Sequence, residues 1–299
     1  MYLFGIDNGY SYTKVVSDNE QKMFPSAITT NVISGYSHIN IDGRGYCVGV
    51  GNMVSKPDKT DHEINKVCTL FSLASCGSGD YYIVAGLPIG QYKTQKDKFK
   101  EIILDYGNCH VEYRQKEIKL NIKEVTIFPQ GAATLYHLGL TNGRYIIFDI
   151  GAFTVDVALI EMTNGTPSVI QYDTWFKGMS TIYSNVADVI NNQYTLTLEP
   201  KDIERILVQG YFKLNGDKID LTCIQPVIDN YLEDLYSLFD LNYKSHTTDI
   251  YLSGGGGSIV FDKFKLHYPQ AELVEEAQYA NAIGYYMIGL QKYYEILER

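Results

Sequence analysis

Short apolar runs separated by tight polar turns open the chain. Tyr2 to Ile6 and Tyr12 to Val16 flank Asp7-Asn8-Gly9, the pattern of a β-hairpin. Residues 31 to 62 are rich in Gly and polar side chains, with weak strand character near Gly45 to Val48. Tyr81 to Ala85 reads as a buried strand, followed by Gly86-Leu87-Pro88 and a charged helix from Gln91 to about Leu104. Val111 to Tyr113 and Lys116 to Asn121 alternate as a second hairpin, and Val125 to Phe128 form another strand. Pro129-Gln130-Gly131 then opens a helix containing Ala132, Leu135, Tyr136 and Leu138.

The pattern restarts at Thr141-Asn142-Gly143. Tyr145 to Phe148 is a buried strand ending in Asp149, Ile150-Gly151-Ala152 turns, and Thr154 to Ile160 returns, with a third run at Val169 to Tyr172. Helices are predicted for Met179 to Asn191, Asp202 to Val208 and Thr222 to Phe239. Ile250 to Leu252 is a last strand, closed by Ser253-Gly254-Gly255-Gly256-Gly257-Ser258, with a helix from Ile259 to Leu266 after the glycines. A final helix from about Ala280 to Leu297 places Ala280, Ile283, Met287, Leu290 and Tyr294 on one stripe.

Residues 2 to 16 and 145 to 160 share one plan: apolar strand, Asp, small-residue turn, returning strand. The key residues are Asp7, Gly9 and Lys14 in the first copy and Asp149, Gly151 and Asp156 in the second. The duplication predicts an α/β fold of two similar lobes facing each other across a cleft, with mixed sheets flanked by helices.

Charge narrows the partners. Lys plus Arg total 25 against 35 Asp plus Glu, a formal net charge of -10. Nucleic-acid affinity rests on Lys and Arg neutralising phosphates, so direct DNA or RNA binding is disfavoured. No apolar run approaches the ~20 residues of a membrane span. The N-terminus lacks the basic start and apolar stretch of a signal peptide, so a soluble, cytoplasmic chain is expected. The five cysteines, Cys47, Cys68, Cys76, Cys109 and Cys223, include no Cys-x-x-Cys pair, which fits reduced structural thiols. Tyr is abundant, 26 residues beside a single Trp, through codon bias or through buried contact surface.

The first turn, Asp7-Asn8-Gly9-Tyr10-Ser11, can expose successive N–H groups as a nest for phosphate oxygens. Asp7 can hold Mg²⁺ through water, and Lys14 can reach the phosphates as a point charge. An ordinary polar hairpin turn has the same pattern. Asp149-Ile150-Gly151-Ala152-Phe153-Thr154 repeats the arrangement, and two such turns can clamp a polyphosphate and its metal. The glycine run at 254–257 can lie flat against a base or sugar, beside a helix N-terminus that favours phosphate.

This constellation resembles the actin-like ATPase superfamily. Asp7-Asn8-Gly9 with Lys14 resembles its first phosphate motif and Asp149 to Asp156 its second. Pro129 to Ala133 and Ala280-Asn281-Ala282-Ile283-Gly284 resemble the two connecting helices, and Ser253 to Ser258 the adenosine motif. Within the superfamily, Gly86-Leu87-Pro88, Lys177-Gly178-Met179-Ser180, Gln209-Gly210-Tyr211 and Gln278 to Gly284 are similar to segments of plasmid-segregation actins of the ParM/StbA type.

The resemblance implies two actin-like (ribonuclease H-like) lobes, residues 1–142 plus 280–299 and 143–279, with the nucleotide cleft between them. It implies a filament-forming protein that segregates plasmid or other low-copy DNA, slowly hydrolysing ATP or GTP with Mg²⁺. Its partners would be copies of itself in a helical filament and a DNA-binding adaptor of the ParR type. Asp7 and Asp149 would organise Mg²⁺, and Gln130 would orient the attacking water, with Asp149 also counted as catalytic. Gly9, Tyr10, Ser11, Lys14, Gly151, Ala152, Phe153 and Thr154 would line the phosphates, and Asn8 and Gly178 would also belong to the nucleotide-binding set. Gly254, Gly255, Gly256 and Ser258 would sit by the nucleoside. Gln is neutral at pH 7 and positions water without acting as a strong base, so hydrolysis should be slow.

One departure touches this motif: Ala152 and Phe153 stand where the superfamily usually has Gly and a small polar residue. Ala152 adds a methyl beside the terminal phosphate, and Phe153 offers no hydroxyl. A small-molecule kinase of the same superfamily is an alternative, with Asp156 its only candidate base. A membrane-anchored actin-like scaffold is another, but the chain end Tyr293 to Arg299 is too acidic for an anionic membrane.

Overall fold

The computed structural model describes residues 1–53 and 63–297. Residues 54–62 of the polar tract, the Tyr294 side chain and residues 298–299 of the acidic end lie outside the described residues. Along the chain run β1 (Tyr2–Asn8), β2 (Tyr12–Ser17), β3 (Gln21–Pro25), β4 (Ala27–Thr29), β5 (Ser37–Ile41), β6 (Arg44–Val48) and β7 (Asn52–Met53). Then come α1 (Glu63–Ala74), β8 (Gly79–Leu87), α2 (Ile89–Asp105), β9 (Cys109–Tyr113), β10 (Lys116–Pro129) and α3 (Ala132–His137). The second half holds β11 (Gly143–Ile150), β12 (Val155–Thr163), β13 (Thr166–Trp175), α4 (Met179–Tyr194), α5 (Pro200–Gln209), β14 (Tyr211–Leu214) and β15 (Asp217–Asp220). It closes with α6 (Gln225–Asn242), β16 (Asp249–Ser253), α7 (Gly254–His267), β17 (Ala271–Leu273) and α8 (Ala280–Leu297).

The chain divides into two compact units, Met1–Thr141 with Tyr279–Arg299, and Asn142–Gln278. The first is built on a ten-stranded sheet ordered β3-β2-β1-β8-β10-β9-β5-β6-β4-β7. It is mixed: β1, β8 and β10 run parallel to one another, and β1–β2 and β9–β10 are antiparallel. Alternation along β1 explains the layers, because successive side chains point to opposite faces. Phe4 and Ile6 enter a core with Leu70 and Phe71 of α1 and Phe99 and Ile103 of α2. Leu3 enters the opposite core, with Val84, Ala133 of α3, and Tyr285, Ile288 and Tyr293 of α8. Fully burying side chains of this size contributes about 1.5–3 kcal/mol each.

The second unit repeats the plan on five strands, β13-β12-β11-β16-β17. The β11–β12–β13 meander is antiparallel, and β16 and β17 add in parallel. Its core joins Ile146, Phe148, Ile150, Val155 and Val157 to residues of α4, α5, α6 and α7. Phe148 sits edge-on to Trp175, Phe239 and Phe264. Two units of mixed sheet and flanking helices are the fold the patterning predicts.

Four local expectations are corrected. Lys116 to Asn121 and Val125 to Phe128 are one strand, β10, interrupted by an irregularity between Ile122 and Glu124. One extra residue there breaks the alternation and makes one strand read as two. The four glycines do not precede a helix; they form its first turn, because α7 starts at Gly254. Packing overrides propensity here: a Cβ on Gly256 would lie 2.4 Å from Ile150 Cγ2 and 2.6 Å from the Met179 side chain. The expected stripe on α8 is out of phase, since Met287 and Leu290 are each 36% exposed while Ala282, Tyr285 and Ile288 are buried. Helix α1 and the β14–β15 hairpin also stand where no element was expected.

Candidate functional site

In the first unit the alternation of β1 sends Asp7 and Asn8 to opposite faces. Asn8 faces α1: its Nδ2 donates to Thr69 Oγ1 at 3.0 Å, and its Oδ1 accepts from Thr13 Oγ1 at 3.3 Å. Its side chain therefore braces the turn from behind instead of lining a ligand surface. Ser26 completes that brace, with Oγ 2.9 Å from Thr13 Oγ1 and 2.7 Å from the Gly9 carbonyl it donates to.

Asp7 is buried and faces the other way. Its cross-strand neighbour on β2 is Lys14, whose Nζ lies 3.2 Å from Asp7 Oδ2. Gln130 Nε2 donates to Asp7 Oδ1 at 2.8 Å. With Nε2 committed to the carboxylate, the Gln130 group able to accept a hydrogen bond from water is Oε1.

Gln130 sits where β10 ends, and two bonds fix its backbone. Its own N–H donates to Leu87 O at 2.8 Å, and the next N–H, of Gly131, donates to Asn281 Oδ1 on α8 at 2.8 Å. Gly131 adopts φ 75° before α3 begins. Helix α8 reaches this turn because Gly284 lies directly on α3: a Cβ there would be 2.0 Å from Ala133 O. Asn281 was visible only as part of a connecting-helix motif. A polar residue among small ones is the signal that marks it.

The second unit carries the same hairpin. Gly151 N–H closes onto Thr154 O at 2.9 Å, as Gly9 N–H closes onto Tyr12 O at 3.0 Å. The register places Asp149 opposite Asp156, where the first unit places Asp7 opposite Lys14. Asp156 is held by two hydroxyls: Thr154 Oγ1 at 3.1 Å and Thr174 Oγ1 at 2.5 Å both donate to it. Each of its carboxylate oxygens thus accepts one hydroxyl hydrogen bond. Thr154 gives its one hydroxyl proton to this carboxylate, which leaves its backbone N–H as its donor toward any ligand at the turn.

The N-terminus of α4 clamps this turn through carbonyls. Gly178 N–H donates to Phe153 O at 3.0 Å, Met179 N–H to Gly151 O at 3.0 Å, and Ser180 N–H to Ala152 O at 2.8 Å. The side chains of Ala152 and Phe153 take no part in these bonds, and Phe153 is 42% exposed. Asp149 also meets the start of α7. It pairs with Ser253 in the β11–β16 register, and a Cβ on Gly254 would lie 2.4 Å from Asp149 Oδ1. Gly254 itself turns at φ 80°, and its N–H donates to Ala277 O at 2.9 Å. Gly255 lies beside the Gln278 amide, and Ser258 is further along α7, within a helix.

Asp7 in the first unit and Asp149 in the second each carry a carboxylate, the oxygen ligand type that Mg²⁺ prefers. Among the described residues no group of three or more His, Cys, Asp and Glu side chains can cage a metal. Mg²⁺ keeps several waters and needs only one or two carboxylates with substrate phosphates, so the single Asp of either turn suits it through water.

Comparison with known proteins gives a consistent picture. Residues 5–132 match the family described as Actin like proteins N terminal domain. Residues 147–266 match the family described as Archaeal actin homologue MreB-like, C-terminal. A 15-stranded ParM filament from Clostridium botulinum is similar at TM-score 0.78 and 22% identity, covering 97% of this chain and 99% of that one. Ta0583, an archaeal actin homologue, is similar at TM-score 0.83 and 20% identity, covering 97% and 100%. Its complex with ADP is similar at TM-score 0.81 and 21% identity, covering 98% and 100%. A curated chaperone protein HscA homologue from Rickettsia bellii is 26% identical over 161 residues, which is 50% of this chain and 27% of that protein.

Proposed function

Because the chain belongs to the actin-like ATPase superfamily, we propose that it is a nucleotide-dependent, filament-forming protein that segregates plasmid or other low-copy DNA. One observation carries the nucleotide part: the same Asp-turn hairpin, closed by the same glycine N–H bond, occurs in both units. Full-length likeness to a ParM filament subunit supports the assembly part.

In this reading the turns at Gly9, Tyr10 and Ser11 and at Gly151 to Thr154 present backbone N–H groups to the phosphates of ATP or GTP. Lys14 adds a point charge, and Gly178 holds the second turn in shape. Gly254, Gly255, Gly256 and Ser258 lie on the nucleoside side. Mg²⁺, held through water by Asp7 and Asp149, would neutralise phosphate charge. Gln130 orients the attacking water through Oε1 while Asp7 fixes its amide. An orienting group that cannot take the proton gives slow hydrolysis, which lets assembly outrun it.

Copies associate head to tail, a contact that extends without closing. A plasmid-segregating filament of this kind would work in the cytoplasm. With a net charge of -10 it does not hold DNA itself. A basic, DNA-binding adaptor of the ParR type docks on the acidic filament, a contact that weakens with salt.

Sedimentation of the purified chain with Mg-ATP or Mg-GTP tests the proposal. Nucleotide-dependent pelleting is expected. A chain that stays in the supernatant at high concentration with either nucleotide overturns it.

A further inference from the structure

We propose that Ser253 is a positioning residue for the second Asp-turn: its hydroxyl accepts a hydrogen bond from a water in the hydration shell of the nucleotide's Mg²⁺, beside Asp149. The inference rests on the reading of that turn as a nucleotide-phosphate site. It concerns one unit alone, residues Asn142–Gln278.

Strand alternation sends the serine to the aspartate's side of the sheet. In the parallel β11–β16 register Leu252 pairs with Phe148, and Ser253 pairs with Asp149. The first pair enters the core, so the second stands on the opposite face. The Asp149 carboxylate reaches the backbone of Gly254, the residue after Ser253, and so lies over the junction of β16 and α7.

The hydroxyl has no structural task in the chain. Ser253 is the N-cap of α7, where a serine oxygen ordinarily accepts from N–H groups of the first turn, yet its side chain makes no such bond. It is 0% exposed, and its Oγ has no hydrogen-bond partner among the described residues. Burying a hydroxyl without a partner costs stability, and nearly all buried polar atoms are paired. Alanine would avoid that cost, and so would a ligand that supplies the partner.

Charge identifies the ligand. A carboxylate on the same face repels phosphate oxygens and attracts a cation. Mg²⁺ binds oxygen and keeps several of its waters, whose protons are polarised by the ion. One such proton goes to the Asp149 carboxylate and another to Ser253 Oγ, which has lone pairs to accept it. Two acceptors fix the orientation of the hydrated ion, where the carboxylate alone leaves it free to turn.

The test is titration of the full chain with fluorescent ATP and GTP analogues, with Mg²⁺ and with a chelator, beside urea unfolding without nucleotide. Ser253→Ala is expected to bind as the wild type does in chelator. It should lose about tenfold of the tightening that Mg²⁺ brings, the effect of one hydrogen bond in a charged network. Its urea midpoint should equal or exceed the wild-type value, because the nucleotide-free chain loses no hydrogen bond. Full magnesium-dependent tightening in the variant overturns the proposal. A lower urea midpoint, or failure to fold, also overturns it, since the hydroxyl then has a structural partner. A wild type that binds neither nucleotide defeats the phosphate-site reading itself, a result distinct from a variant that matches a wild type tightened by Mg²⁺.

Discussion

Gln130 donates its side-chain amide to the Asp7 carboxylate at 2.8 Å, joining residues 123 positions apart at the end of two strands of one sheet. The contact fixes which end of the amide faces away from Asp7. It also makes Asp7 a support for Gln130, in addition to its proposed part in holding Mg²⁺. Gln130→Ala should keep nucleotide affinity and slow phosphate release by about tenfold, short of the roughly hundredfold a positioned general base contributes. Phosphate release measured beside equilibrium nucleotide binding checks this. A wild-type hydrolysis rate would show that Gln130 does not orient the water.

Asp149 pairs with Asp156 in the hairpin register, and its carboxylate lies against the backbone of Gly254. Asp149→Ala is expected to abolish the part of nucleotide binding that depends on magnesium. Titration with a fluorescent nucleotide, with Mg²⁺ and with a chelator, reads it directly. The wild type should bind more tightly with the metal, and the variant should bind equally in both conditions.

Asn281 reaches from α8 to the turn that carries Gln130. Asn281→Ala leaves the buried Gly131 N–H without its acceptor, a loss of about 1–3 kcal/mol. Urea unfolding measures that cost. The same variant should slow hydrolysis at temperatures where it stays folded, because the turn holding Gln130 loosens. Unchanged stability would mean another acceptor replaces the side chain.

The tyrosines give a pH prediction. Tyr46, Tyr106, Tyr236 and Tyr293 are each pushed up to about 12, first of all by burial. An unfolded tyrosine ionises near pH 10, so the folded chain holds these protons more tightly. The stability they contribute is fully present below about pH 10 and is lost as pH rises toward 12. Tyrosinate absorbance and circular dichroism should therefore change together in that window. Ionisation of these tyrosines near pH 10 with the dichroism intact would contradict the burial argument.

The hairpins were legible because an Asp and a glycine between two apolar runs is a local pattern, repeated at residues 2 to 16 and 145 to 160. Their register, Asp7 to Lys14 and Asp149 to Asp156, follows from turn length alone. Helix α1 was not legible, since Asn65, Thr69 and Ser72 are buried beside Val67, Leu70 and Phe71 and leave no polar stripe to read. The phase of α8 was missed for a related reason: its buried face runs through Ala282, Gly284 and Gly289, which carry little hydrophobic signal. The same alternation that puts Asp7 in the site turns Asn8 away from it, a distinction that motif matching does not make. What joins Gln130 to Asp7 and Gly131 to Asn281 depends on contacts across more than a hundred residues.

Nucleotide-dependent self-assembly is the central claim, and light scattering with electron microscopy of the same samples tests it most directly. With Mg-ATP or Mg-GTP, scattering should rise and filaments should appear, then scattering should fall as phosphate is released. A monodisperse, unassembled chain with both nucleotides at high protein concentration would contradict the account.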